Sequence, residues 1–188
     1  MRAGLLLLAF LAAPAFAAEV AGVKVEEKIK LDSGELVLNG AGLRTKAFFK
    51  VYVAGLYLAE KRTSAGEVLA LPGAKRVSMR LMRALSAKQL IDALDKGIRE
   101  NTPAAEQETL KGRVADLSAI MTALQSAKEG DVIALDWLPA LGTLIVLNGE
   151  PRGKPIAGED FYRALLRIWL GDDPAEERLK KALLGRGE

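Results

Sequence analysis

Cysteine and histidine are both absent from the 188 residues of this sequence. Without them there is no Cys–His or Ser–His nucleophile system, no histidine general base and no zinc site of the ordinary Cys/His kind. No disulfide can staple the chain, so packing alone must stabilise it. Neither sign of charge dominates: 27 Lys and Arg are interspersed with 24 Asp and Glu, for a formal net charge of +3. No basic block with interleaved aromatics occurs, which argues against a nucleic-acid partner. The carboxylates show no metal-ligand spacing and Gly40 to Gly42 follow no phosphate-binding pattern, so neither a metal nor a cofactor is expected.

Long apolar runs are scarce as well. The one at the start, Leu5 to Ala13, is too short to span a bilayer. It follows Met1-Arg2, ends at Pro14 and leads to Ala15-Phe16-Ala17, where small residues occupy the positions that a signal peptidase must admit. Residues 1–18 are therefore expected to be a cleaved signal peptide and residues 19–188 one periplasmic or secreted domain, with no stable membrane span after cleavage.

From Val23 to Leu31 apolar and charged residues alternate as in a half-buried strand. Asp32-Ser33-Gly34 reads as a turn, Glu35 to Asn39 as a second strand, and Gly40-Ala41-Gly42 as a break. A longer strand is expected from Lys46 to Glu60, apolar on both faces and hence central, and another at Val77 to Leu81. The period then becomes helical behind Ser86 and again behind Pro103. Strands are expected to resume at Asp131 to Trp137 and Thr143 to Leu147, with Asn148-Gly149 a hairpin signal. A helix from Glu159 to Leu170 ending at Gly171, and a last one capped by Asp173-Pro174 and reaching Leu184, complete an α+β pattern with an antiparallel sheet.

Two separated stretches, Gly40 to Arg44 with Lys50 to Leu58, and Ile168 to Gly171 with Asp173-Pro174 and Ala182 to Gly185, resemble the chalcone isomerase-like family, the second stretch its exported bacterial branch. The resemblance runs from Val23 to Gly185. It implies a large antiparallel sheet with helices packed on one face and a ligand cleft between them. In that cleft the plant enzymes close a flavonoid ring and related proteins hold a fatty acid. The enzymes carry a Tyr and an Asn seven residues apart along the first cleft helix; here those places align with Leu90 and Gly97, neither of which can orient a phenolate or a water. No catalytic residue is therefore assigned.

What the resemblance retains is Arg44 and Tyr52: a planar fork of donors matched to a carboxylate, and a hydroxyl. On a straight strand these residues would stand roughly 26 Å apart, so they share one ligand group only if the chain reverses near Thr45 to Ala47. The expectation is a non-catalytic binder of a fatty acid or similar apolar carboxylate. Two alternatives stay open: a periplasmic interaction module without a ligand, and an isomerase-type enzyme of unknown substrate.

Overall fold

The structure is a computed structural model that describes residues 17–32 and 34–187. The apolar run at Leu5 to Ala13 and most of the expected signal segment lie outside these residues.

Four short and long strands open the chain: β1 (Ala17–Val20), β2 (Val23–Glu26), β3 (Lys28–Leu31) and β4 (Gly34–Lys46). Then come β5 (Phe49–Leu58), helix α1 (Ala65–Ala70), β6 (Lys75–Leu81) and β7 (Leu85–Ser86). Helices α2 (Ala87–Asn101) and α3 (Ala104–Leu124) lead through β8 (Ser126–Ala127) to β9 (Val132–Leu138), β10 (Gly142–Leu147) and β11 (Glu150–Ile156). Helices α4 (Glu159–Leu170) and α5 (Glu177–Leu183) close the chain. Seven strands form one antiparallel sheet in the order β11-β10-β9-β6-β5-β4-β3. None of the helices described is long and apolar enough to cross a membrane.

Alternation along the central strands divides the sheet into two faces. Ala54, Leu56 and Leu58 of β5, with Val77, Met79 and Leu81 of β6 and Ile133, Leu135 and Trp137 of β9, enter the core beneath the helices. Val53, Tyr57 and Leu138 point the other way, into a smaller core with Val25, Leu31, Leu36 and Leu38. This is the two-sided burial expected of the strand around Tyr52. The middle helix α4 is buried at Phe161, Tyr162, Ala164, Leu165, Leu166, Ile168, Trp169 and Leu170. Gly97 lets α2 cross it closely, since a β-carbon there would stand 2.7 Å from Ile168. The enzyme-type positions Leu90 and Gly97 therefore serve packing, Leu90 against the helix-side core and Gly97 against α4.

Local signals explain several boundaries. Ser86 and Gln89 form a reciprocal capping box at the start of α2. Asn148 and Gly149 take φ of 53° and 84° in the turn between β10 and β11, as a two-residue hairpin requires.

Four expectations need correction. The stretch Val23 to Leu31 is two strands rather than one, with a bend at Glu27, and β2 pairs with β1. Gly40 to Gly42 do not break the chain: β4 runs through them, past a register shift between Leu38 and Gly40. The missing side chains of Gly40 and Gly42 make room for α5, because a β-carbon on Gly40 would sit 2.0 Å from the Ala182 carbonyl oxygen and one on Gly42 2.7 Å from the Ala182 β-carbon. The strand expected from Lys46 begins only at Phe49, because β4 and β5 are joined by a hairpin turn. Finally, Asp173-Pro174 do not cap α5, which starts at Glu177 with Glu176 at its N-cap.

Candidate functional site

The turn at Ala47 and Phe48 settles how Arg44 and Tyr52 relate. The chain reverses between Lys46 and Phe49, and the register places Arg44 directly opposite Tyr52 across the β4–β5 ladder. Ala47 makes the reversal with a φ of 53°, in the left-handed region where glycine is the usual occupant. The straight-strand separation therefore does not apply, and the two residues occupy one end of the sheet.

Arg44 already holds a carboxylate. Its Nη1 donates to Glu176 Oε2 at 3.1 Å, and Thr45 adds its backbone N–H to the same oxygen at 2.8 Å and its hydroxyl to Glu176 Oε1 at 3.1 Å. The Arg44 guanidinium also donates to the Thr45 carbonyl. Both members of the ion pair are about four-fifths shielded from solvent, so the attraction is less screened than on an open surface. Glu176 is brought here by α5, whose Leu179, Leu183 and Ala182 lie over the flat glycine stretch of β4. The helix reaches that stretch because Asn39 Nδ2, buried beneath it, donates to the Leu183 carbonyl at 2.7 Å.

Tyr52 completes the cluster from β5. Its hydroxyl accepts from Trp169 Nε1 of α4 at 2.9 Å. Burial pushes the phenol pKa up, the Trp169 donor and the Arg44 charge oppose that rise, and the Glu176 charge adds to it. Among the described residues no acceptor is paired with the phenol's own proton, so the hydroxyl remains a donor. The set therefore offers a guanidinium, a backbone N–H and the Thr45 hydroxyl on a carboxylate position that Glu176 fills, with the Tyr52 hydroxyl on the strand opposite Arg44.

Sequence reasoning reached Arg44 and Tyr52 but not Thr45, Glu176 or Trp169 as members of the site. Trp169 reads as a packing residue, and it is one, yet its indole N–H also fixes the Tyr52 hydroxyl. No local pattern links Glu176 to Thr45, 131 positions earlier in the chain. A groove of about 630 Å³ lies elsewhere, lined by Ile120 and Leu124 of α3, Leu147 of β10, and Arg152 and Gly153 of β11. Its β10 and β11 residues are three and four strands from β5, and it shares no lining residue with the Arg44 cluster.

The family model for chalcone isomerase-like proteins matches residues 17–185. The chain belongs to the chalcone isomerase-like family, and its sheet and five helices have that family's fold. Among solved structures, the Arabidopsis thaliana fatty-acid binding protein AtFAP1 aligns with a TM-score of 0.64 at 14% sequence identity, covering 87% of this chain and 92% of that one. At this identity the likeness is one of fold. No curated protein matches the sequence.

Proposed function

We propose that the protein is a non-catalytic binder of a fatty acid or a similar apolar carboxylate, working in the periplasm or outside the cell. The observation that carries the reading is that Arg44 and Thr45 grip a carboxylate with three hydrogen bonds, while the Tyr52 hydroxyl beside them keeps a proton to donate. A ligand carboxylate takes the place of Glu176 when the start of α5 swings off β4. Its tail then parts the core between the sheet and the helices, where Leu56 and Leu81 are packed in the same buried cluster as the apolar face of α4. The fold shared with AtFAP1 supports the choice of a fatty acid, and the apolar run ahead of Ala15-Phe16-Ala17 supports export.

Glu176 itself favours a second reading. With its own carboxylate on Arg44, the cluster is also a complete internal latch that fastens α5 to the sheet, as an interaction module without a ligand would need. Native mass spectrometry of the protein isolated from its own cells, followed by lipid extraction, separates the two. A carboxylate adduct that is missing from Arg44→Ala supports the binder, and an adduct-free wild type supports the latch. N-terminal sequencing of the same preparation tests export, which requires a mature chain that starts near Ala18 or Glu19.

A further inference from the structure

The turn that joins β4 to β5 carries chemistry that the Arg44 site does not use. Phe48 is 99% exposed and Phe49 61% exposed, side by side at the tip of the hairpin. Lys46 and Lys50 flank them, both exposed. The Met82–Ala84 loop is tied alongside by the Met82 N–H, which donates to the Val51 carbonyl at 2.9 Å. From that loop Arg83 sets its guanidinium carbon 5.1 Å from the centre of the Phe49 ring. Residues 46–50 and 82–84 thus combine two outward aromatic rings with three cations and contain no carboxylate.

Single exposed apolar residues are ordinary on protein surfaces and need no explanation. Adjacent phenylalanines at the apex of a turn differ: Phe48 is left almost wholly uncovered, and Phe49 is shielded only in part, with Arg83 over its ring. We infer that this tip docks on an anionic membrane surface, with Phe48 and Phe49 entering the boundary between headgroups and acyl chains while Lys46, Lys50 and Arg83 meet lipid phosphates. The shape favours a bilayer over a folded protein: a convex two-residue wedge needs a matching pocket in a protein but only displaced headgroups in a lipid leaflet. The charge favours it too, since cations close to an anionic leaflet are attracted within a Debye length, and lysine stems lie along the apolar boundary while their amines stay in water. Docking there brings the Arg44 end of the sheet to the membrane. Insertion of the tip requires nothing of the Arg44 cluster, so either reading stands if the other fails.

The full chain with Phe48→Trp tests this. Its own tryptophans, Trp137 and Trp169, are only 6% and 2% exposed, so an indole at position 48 dominates any solvent-dependent change in emission. With vesicles of phosphatidylglycerol and phosphatidylethanolamine, that emission is expected to shift to shorter wavelength and to be quenched by bromine-labelled acyl chains. Adding Lys46→Gln, Lys50→Gln and Arg83→Gln is expected to weaken partitioning by about a hundredfold, and vesicles of phosphatidylcholine alone to bind comparably weakly. Emission that stays water-like at saturating anionic lipid overturns the inference, even if the protein sediments with the vesicles through its N-terminal apolar run. It would assign the exposed rings to a protein partner instead.

Discussion

Gly40 is the position where a single methyl group should do most to the α5 latch. A β-carbon there would sit 2.0 Å from the Ala182 carbonyl oxygen, 2.8 Å from the Leu183 carbonyl oxygen and 2.9 Å from the Gly185 nitrogen. All three are backbone atoms, so no side-chain rotation relieves the clash and α5 must move off β4 as a unit. Overpacking of this kind costs about 1–3 kcal/mol, and the absence of any flexible neighbour puts Gly40→Ala at the upper end, about 3 kcal/mol. Complete undocking would cost more, because Leu179, Leu183 and Leu184 are each at most 4% exposed and each contributes about 1.5–3 kcal/mol by burial. For a domain of this size a loss of about 3 kcal/mol lowers Tm by about 6–12 °C. Gly112, inside α3, is the contrast: a β-carbon there meets nothing within 4 Å, and Gly112→Ala should stabilise by up to about 1 kcal/mol through helix propensity. Urea denaturation gives both values, and hydrogen exchange reports whether the α5 amides lose protection in Gly40→Ala. Native stability with native α5 protection in that variant would refute the close-approach account of the glycine stretch.

Lys75 is fully buried at the start of β6, its Nζ has no hydrogen-bond partner, and Glu159 stands 4.0 Å away. Lys75→Met should therefore stabilise by about 1–3 kcal/mol in urea denaturation. Burial holds the amine's pKa below its ordinary value of 10.5, with Glu159 opposing that shift. The folded state thus binds fewer protons than the unfolded state between the lowered pKa and 10.5, so wild-type stability should rise with pH across that window and the variant should lose the rise. Arg76 Nε donates to the buried Asp136 Oδ1 at 2.5 Å across the β6–β9 ladder, and Asp136→Ala should cost about 3–5 kcal/mol by stranding the guanidinium. A loss under about 1 kcal/mol in the same assay would show that Arg76 reaches water without it.

Much of the fold was legible because local signals and packing agree. Helix α4 runs from Glu159 to Leu170 as its apolar spacing predicts, Ser86 caps α2, and Asn148-Gly149 turns β10 into β11. The β4–β5 hairpin was hidden because Ala47 takes a left-handed φ without the glycine, asparagine or aspartate that ordinarily marks one. Gly40 to Gly42 looked like a break because a glycine that admits a helix from above has the same letter as one that bends the chain. The candidate site was half legible. Arg44 and Tyr52 stand in a recognisable motif, whereas Glu176 meets them only through the docking of α5, a contact between distant segments that no periodicity encodes.

The carboxylate position on Arg44 and Thr45 is proposed as a ligand site from which a fatty acid displaces Glu176. Titration calorimetry with fatty acids of increasing chain length, on wild type, Glu176→Gln and Arg44→Ala, tests it most directly. Removing the competing charge frees the guanidinium, so Glu176→Gln should bind about tenfold more tightly than wild type, and Arg44→Ala should bind about ten- to a hundredfold more weakly. If wild type and Glu176→Gln both remain folded and bind none of the fatty acids, Glu176 is a structural latch and the claim is contradicted.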